Sequence, residues 1–194
     1  MKKNLIFIGM PAVGKSTVGI VVAKRLGMRF IDTDLLIQEQ EGKLPREIIA
    51  EKGEEGFLEI ENQVNASVKA SNSVISPGGS VIYCQEAMKH YKKIGTIVYL
   101  KASYQTIKRR IKNPKKRGVV LKEGQSLRDL YYERVPYFEK YADITICEDG
   151  CRIEDTIKNV LNAVKKYRKT AQKRTEKRTE FRKKLDNTPK SKLK

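Results

Sequence analysis

Residues 9–16 contain the residue types that a phosphate-binding loop needs. Their sequence, Gly-Met-Pro-Ala-Val-Gly-Lys-Ser, matches the pattern G-x-x-x-x-G-K-[ST] and stands between a short apolar run and a helical pattern. Glycines let the backbone turn its N–H groups towards phosphate oxygens, the lysine reaches the β and γ phosphates, and the hydroxyl binds Mg²⁺. The loop therefore predicts a nucleotide site with Mg²⁺, and a chance glycine-rich turn is the alternative. The residues of this segment expected to bind the nucleotide are Gly9, Ala12, Val13, Gly14, Lys15, Ser16 and Thr17.

Two aspartates follow the second apolar run, in the sequence Phe-Ile-Asp-Thr-Asp of residues 30–34. Alternation along a strand puts the carboxylates of Asp32 and Asp34 on the same side, and ligands of open α/β sheets bind at the carboxyl ends of strands. We expect Asp32 to hold a water of the metal and Asp34 to orient or deprotonate an attacking hydroxyl. The alternative is a helix cap, in which Asp34 accepts from the amide of Leu36 or Ile37.

A glycine pair, Gly78 and Gly79, follows the third apolar run in the sequence Ser-Pro-Gly-Gly-Ser of residues 76–80. Paired glycines at the end of a strand allow the backbone to approach a ligand closely. We therefore expect both glycines to line the site, although Pro-Gly is also a common turn sequence.

Arg117 lies in a polar, lysine-rich segment, residues 112–124, which is too long for a tight connection. Long loops of this kind often act as lids over a site. An arginine on a closing lid would neutralise charge on a transferred phosphoryl group, so Arg117 is a candidate catalytic residue. The alternative is a solvated basic loop.

These residues must be positioned by elements that alternate along the chain. Apolar runs typical of buried strands occur at residues 4–8, 29–33, 73–76, 96–100 and 143–147, and helical patterns lie between most of them. The alternation predicts an α/β protein with a parallel sheet of five strands. A length of 194 residues with 39% apolar residues suits one domain with some residues left over.

The net charge of +18 is concentrated at one end of the chain. Residues 165–194 hold 14 Lys and Arg against 3 Asp and Glu, and so carry +11 of the +18. We therefore predict a domain over residues 1–164 and a basic, helical or disordered tail over residues 165–194. A contact between this tail and nucleic acid is the alternative to a solvated extension.

Cys84, Cys147 and Cys151 are an odd and sparse set, with no partner histidines to complete a zinc site. This usage is typical of reduced thiols in a cytosolic protein. The sequence also lacks the uninterrupted apolar stretch of about 18 residues that a membrane-spanning helix needs. We expect a cytoplasmic protein that does not contact a membrane and acts as a monomer.

The motifs together resemble the shikimate kinase family, whose members are small P-loop kinases. The residues that carry the resemblance are the loop at 9–16, residues 30–34, Gly53, Glu54, Phe57, Glu61, residues 76–79, Arg117 and residues 133–137. The resemblance implies a nucleoside-monophosphate-kinase-like fold with a lid. It also implies transfer of the γ-phosphate of ATP to a ring hydroxyl of shikimate, a small hydroxylated carboxylate, as a step of aromatic amino acid biosynthesis.

The resemblance assigns a role to each matching residue. On the nucleotide side it implies that Lys15 and Ser16 bind phosphate and Mg²⁺, that Asp32 holds metal water, that Arg110 stacks on adenine, that Arg117 closes over the phosphates and that Arg152 is a weaker contact. On the substrate side it implies that Asp34 binds the hydroxyls as a possible base, that Gly78 and Gly79 line the substrate, and that Arg134 pairs with the carboxylate.

The chain departs from the family on the substrate side. Leu58 stands where the family has an arginine that shares the substrate carboxylate, and Ser80 replaces a third glycine. The lid reads Arg117-Gly-Val-Val where the family has Arg-Pro-Leu-Leu. Loss of one charge-assisted hydrogen bond predicts roughly 10 to 150 times weaker shikimate binding unless Arg46 or Lys52 supplies the charge.

Two alternatives therefore accompany the shikimate kinase prediction. The change at position 58 suggests a kinase of another small hydroxylated metabolite. The basic tail suggests, more remotely, an RNA-associated protein that binds nucleotides.

Overall fold

The computed structural model describes residues 4–112, 119, 121–122 and 124–186. Within these residues the strands are β1 (Asn4–Ile8), β2 (Arg29–Asp32), β3 (Ser73–Ser76), β4 (Gly95–Lys101) and β5 (Ile144–Cys147). The helices are α1 (Lys15–Leu26), α2 (Thr33–Glu41), α3 (Pro45–Ser67), α4 (Gln85–Ile94), α5 (Tyr104–Arg110), α6 (Leu127–Tyr141) and α7 (Ile153–Asp186), and a short 3-10 helix covers Val81–Tyr83. The predicted α/β class is confirmed.

The strands of the described residues form one parallel sheet of five strands, in the order β2-β3-β1-β4-β5. Leu5 of β1 lies opposite Val74 of β3 on one side and Thr96 of β4 on the other. Every residue of β1 is buried, which agrees with its continuous apolar sequence, because a parallel sheet is covered on both faces. The strand order reverses at β1, so the loop that follows β1 opens where ligands of such sheets bind.

Helix α2 begins at Thr33, within the segment that the alternation in the sequence placed on a strand. β2 ends at Asp32, whose side chain accepts a hydrogen bond from the amide of Asp34 at 3.1 Å and so caps α2. The expectation that both aspartates lie on the strand was wrong, and so was the alternative that Asp34 is the cap. Asp32 keeps an extended backbone while its carboxylate satisfies an amide of the first helical turn, which is the usual geometry of a capping aspartate.

Helices α2 and α3 pack around a small apolar cluster that is separate from the main core. Its buried members are Ile37, Ile48, Phe57, Ile60 and Val64. Gly42 ends α2 in a left-handed conformation, and Gly53, whose backbone is not helical, bends α3. This pair of helices therefore forms a distinct wall beside the carboxyl ends of the strands.

Helix α4 was missed by the sequence prediction. It buries Ala87, Met88 and Tyr91 against the core, and its one other apolar residue, Ile94, leaves the periodic pattern short. The helix leads directly into β4, so it completes the crossover between β3 and β4.

Helix α7 packs against α1 and β5 and continues to Asp186. Val160 and Val164 are its most deeply buried apolar side chains, and beyond them the described side chains are mainly exposed. The predicted domain boundary after residue 164 thus falls within one helix, at the point where its burial ends. In the part of the chain that the structure describes, no helix is both long and apolar enough to span a lipid bilayer.

Candidate active site

The loop after β1 has the backbone that its glycines predict. Gly9 and Gly14 have φ values of 149° and 107°, and Ala12 also has a positive φ of 61°. A Cβ on Gly9 would come within 2.6 Å of the carbonyl oxygen of Leu100, so a side chain cannot be placed there. Lys15 Nζ donates to the carbonyl oxygen of Gly9 at 3.1 Å, which holds the lysine over the loop. The loop is therefore a curled segment with its one cationic side chain folded against it.

A cavity of about 430 Å³ lies beside this loop and brings together four separate segments. They are the loop with the first turn of α1, helix α2, helix α3 on both sides of its bend, and the segment after β3. Its lining includes Ala12, Gly14, Lys15, Ser16, Thr17, Asp34, Arg46, Phe57, Glu61, Gly78, Gly79 and Ser80. The predicted phosphate loop, Asp34 and the glycine pair thus share one space.

Ser16 and Asp32 form a cluster of oxygen atoms at the start of α1. Ser16 Oγ donates to Asp32 Oδ2 at 2.8 Å and lies 3.3 Å from Ser76 Oγ. Hydroxyl and carboxylate oxygens are the donors that Mg²⁺ prefers, and Mg²⁺ at phosphate sites keeps most of its waters. The two predicted metal residues are therefore adjacent and chemically suited to the ion.

Asp34 has the electrostatic environment of a proton acceptor that works near neutral pH. Partial burial and the neighbouring carboxylate of Asp32 raise the pKa of Asp34 to about 6, against the opposing charge of Lys15. Burial also lowers the pKa of Lys15 from its ordinary value, although the carboxylate of Asp34 opposes that shift. At pH 7 Asp34 is ionised but more basic than an exposed aspartate, which suits it to accept a proton.

Glu61 is a buried carboxyl group that the sequence analysis used only as part of the resemblance. Burial and the charge of Asp34 raise the pKa of Glu61 to about 7, while Ser80 donates a hydrogen bond that lowers it. Glu61 Oε1 has no hydrogen-bond partner among the described residues. A Cβ on Gly78 would overlap this oxygen and lie 3.0 Å from Asp34 Oδ1. Position 78 therefore requires a glycine, because a side chain there would collide with the carboxyl groups of Glu61 and Asp34.

Arg134 is 1% exposed and lies behind the glycine pair. A Cβ on Gly79 would be 3.2 Å from its guanidinium, which itself lies over the ring of Tyr83 at 5.4 Å. Arg134 Nε lacks a hydrogen-bond partner among the described residues. Leu58 and Arg134 both line a neighbouring cavity of about 220 Å³, so position 58 adds apolar surface and no charge beside this arginine.

Arg110 lies on the outer side of the phosphate loop. Its guanidinium donates to the carbonyl oxygen of Val13 and to Glu148 Oε2, both at 2.9 Å. Glu148 is 4% exposed, and its Oε1 has no partner among the described residues. A cavity of about 220 Å³ here is lined by Ala12, Val13, Gly14, Thr17, Val18, Arg110, Glu148, Cys151, Ile153 and Thr156.

One further predicted nucleotide contact, Arg152, does not line this cavity. Arg152 is highly exposed and pairs with Asp155 at 3.5 Å, so it lies beside the cavity rather than on its lining. Arg117 lies outside the described residues.

The sequence and the fold of this chain have counterparts among known proteins. A family model described as shikimate kinase matches residues 11–165. The chain belongs to the shikimate kinase family. The shikimate kinase of Sulfurihydrogenibium sp. is 33% identical over 165 residues, which cover 84% of this chain and 99% of that protein. The shikimate kinase structure from Acinetobacter baumannii in complex with shikimate has a TM-score of 0.71 and 26% identity, and the match covers 84% of this chain and 92% of that one.

One relative embeds the same unit in a longer chain. Threonine synthase-like 1 of Homo sapiens is 38% identical over 168 residues, which cover 85% of this chain but 23% of that protein. This chain therefore spans nearly the full length of the bacterial shikimate kinase and about a quarter of the human protein. The shikimate kinase unit occurs both as a whole protein and as a part of one.

Proposed function

We propose that this chain transfers the γ-phosphate of ATP to a hydroxyl of shikimate and forms shikimate 3-phosphate. Membership of the shikimate kinase family supports this activity. The observation that carries it is a single cavity lined by both Lys15 and Asp34. A phosphate donor held by the loop and an acceptor held at Asp34 would occupy one space, as phosphoryl transfer between them requires.

The acceptor hydroxyl supplies the attacking oxygen. Its oxygen forms a bond to the γ-phosphorus, the bond from that phosphorus to the β–γ bridging oxygen breaks, and the hydroxyl proton passes to a carboxylate of Asp34. Lys15 offsets the negative charge that spreads over the phosphate oxygens as the bonds change. Asp34 is suited to its role because its raised pKa makes it a stronger base than an exposed aspartate while it stays ionised at pH 7.

Ser16 and Asp32 would hold Mg²⁺, the serine directly and the aspartate through metal-bound water. When bound, the ion supplies positive charge to the β- and γ-phosphate oxygens. The 2.8 Å contact between these two side chains supports the assignment, since it places two oxygen ligands at the end of the phosphate loop.

Arg110 would hold the adenine of ATP, and Arg134 would hold the carboxylate of the acceptor. Arg110 contacts the phosphate loop and borders the outer cavity, which suits stacking on the adenine of ATP. Arg134 lies against Gly79 and would pair with the carboxylate of the acceptor. Arg117, carried on the lid, would close over the phosphates.

The test is a coupled ADP-release assay with the purified chain, MgATP and a panel of hydroxylated acids. Shikimate is expected to give a rate well above the ATPase background, and phosphorus NMR should show a single new phosphate monoester. Quinate and gluconate serve as comparison acceptors. The proposal fails if shikimate gives only the background rate while another acid of the panel is turned over.

A further inference from the structure

Arg46 occupies the first turn of α3 and lines the cavity that contains Asp34. Among the described residues that line this cavity, the cationic side chains are Lys15 and Arg46. Lys15 lies against the carbonyl oxygens of the phosphate loop, at the end where the donor phosphates bind. Arg46 therefore brings positive charge to the cavity from the α3 wall.

The guanidinium of Arg46 is only weakly engaged with its neighbours. Its side chain is 60% exposed and its nearest carboxylate, Glu47 Oε1, is 4.0 Å away. Glu47 also accepts a hydrogen bond from the amide of Leu44 at 2.9 Å, so it serves mainly as a helix cap. The charge of Arg46 thus remains available to an anion in the cavity.

Two other cations near α3 are used differently. Lys43 pairs with Glu51 at 2.6 Å, and Lys52 pairs with Glu41 at 3.0 Å. Neither lysine belongs to the lining of the cavity. Both ion pairs connect parts of the α2 and α3 wall, so Lys43 and Lys52 stabilise the wall whereas Arg46 faces the site.

The two carboxyl groups of the cavity favour a second cation on the acceptor side. Asp34 and Glu61 both line it, and an ionised carboxylate at either position repels an acceptor that itself carries a carboxylate. Arg134 is buried behind Gly79 and is electrostatically coupled to Glu61. Since position 58 is a leucine, no cation stands there to assist Arg134.

We propose that Arg46 binds the carboxylate of the acceptor from the α3 side of the cavity and is a specificity-determining residue of this kinase. An arginine is suited to this because its planar guanidinium forms paired hydrogen bonds with a carboxylate. The inference rests on the proposed function and adds the residue that selects for a charged acceptor.

The experiment compares Arg46→Ala with the unmodified chain on two acceptors, shikimate and its methyl ester, which keeps the hydroxyls but lacks the negative charge. For shikimate, KM should rise roughly 10- to 100-fold while kcat changes by less than about twofold, as expected for loss of a binding contact. For the ester, KM should be the same in both proteins. Arg46→Lys should retain part of the shikimate affinity.

Lys52→Ala is the matched control, because it removes an exposed cation of the same helix that does not line the cavity. It should leave both KM values within about twofold, and thermal unfolding should confirm that each variant is folded. The assignment is overturned if Arg46→Ala leaves KM for shikimate unchanged, or if KM for the ester rises equally. Failure of the proposed function looks different: the unmodified chain itself would not turn over shikimate, and both proposals would then fall.

Discussion

The two halves of the site are built in different ways. The phosphate-binding part of the nucleotide half is one continuous segment, residues 9–16, whose curled backbone leads into the N-terminus of α1. The acceptor half is assembled from α2, α3, the segment after β3, and α6, which contribute Asp34, Glu61, Gly78 and Arg134. The comparison teaches that phosphate binding is encoded locally, whereas acceptor selection depends on how distant helices pack.

The two halves also differ in their electrostatics. The phosphate loop offers backbone amides and one lysine, Lys15, and burial lowers the pKa of that lysine from its ordinary value. The acceptor half contains two carboxyl groups, Asp34 and Glu61, whose pKa values are raised to about 6 and about 7. A change of pH between 5 and 7 should therefore act on the acceptor half first.

Replacing Lys15 should have the largest effect, because it removes the cation nearest the transferred phosphate. Lys15→Ala should lower kcat with shikimate about 1000-fold and should lower the ATPase background as well. Steady-state ADP release measures both rates. A loss smaller than about tenfold would contradict the role of the loop lysine.

Asp34→Asn should impair the reaction of the acceptor while leaving nucleotide binding intact. The amide cannot take the proton of the acceptor hydroxyl, so kcat with shikimate should fall about 100-fold or more. Binding of a fluorescent ATP analogue should stay within about twofold of the unmodified chain, because Asp34 belongs to the acceptor half. Weak nucleotide binding in this variant would show that the halves are not independent.

The pH profile should reveal the titration of Asp34. Its raised pKa means that the carboxylate is ionised above about pH 6 and protonated below it, so kcat should fall about tenfold for each pH unit below 6. Stopped assays from pH 4.5 to 8 would measure this limb. In Asp34→Asn the same limb should be absent; its persistence would assign the titration to another group.

Arg134→Lys should have the smallest effect of the four and should be confined to the acceptor. A lysine keeps the charge but not the paired geometry, so KM for shikimate should rise roughly tenfold. KM for ATP should not change. Equal changes in the two KM values would indicate that the fold rather than the acceptor contact was disturbed.

Much of the nucleotide half could be predicted from the sequence, and the reason is local geometry. The positive φ values of Gly9 and Gly14 follow from the loop pattern, and the buried β1 follows from its apolar run. Asp34 lines the cavity, but it lies on a helix and not on the strand where the sequence placed it. Its carboxylate enters the cavity from the first turn of α2, since Asp32 ends the strand and caps the helix.

The sequence by itself determined the five strands, the phosphate loop and the candidate acid–base residue, because each depends on neighbours within a few positions. Only the tertiary structure showed that Glu61 requires a glycine at position 78, that Arg110 bridges Val13 and Glu148, and that Arg46 rather than Lys52 lines the acceptor cavity. The contacts of Glu61 and Arg110 join residues from 17 to 97 positions apart, counted from Glu61 to Gly78 and from Val13 to Arg110. Packing decides such contacts and charge pairings, and no local pattern encodes it.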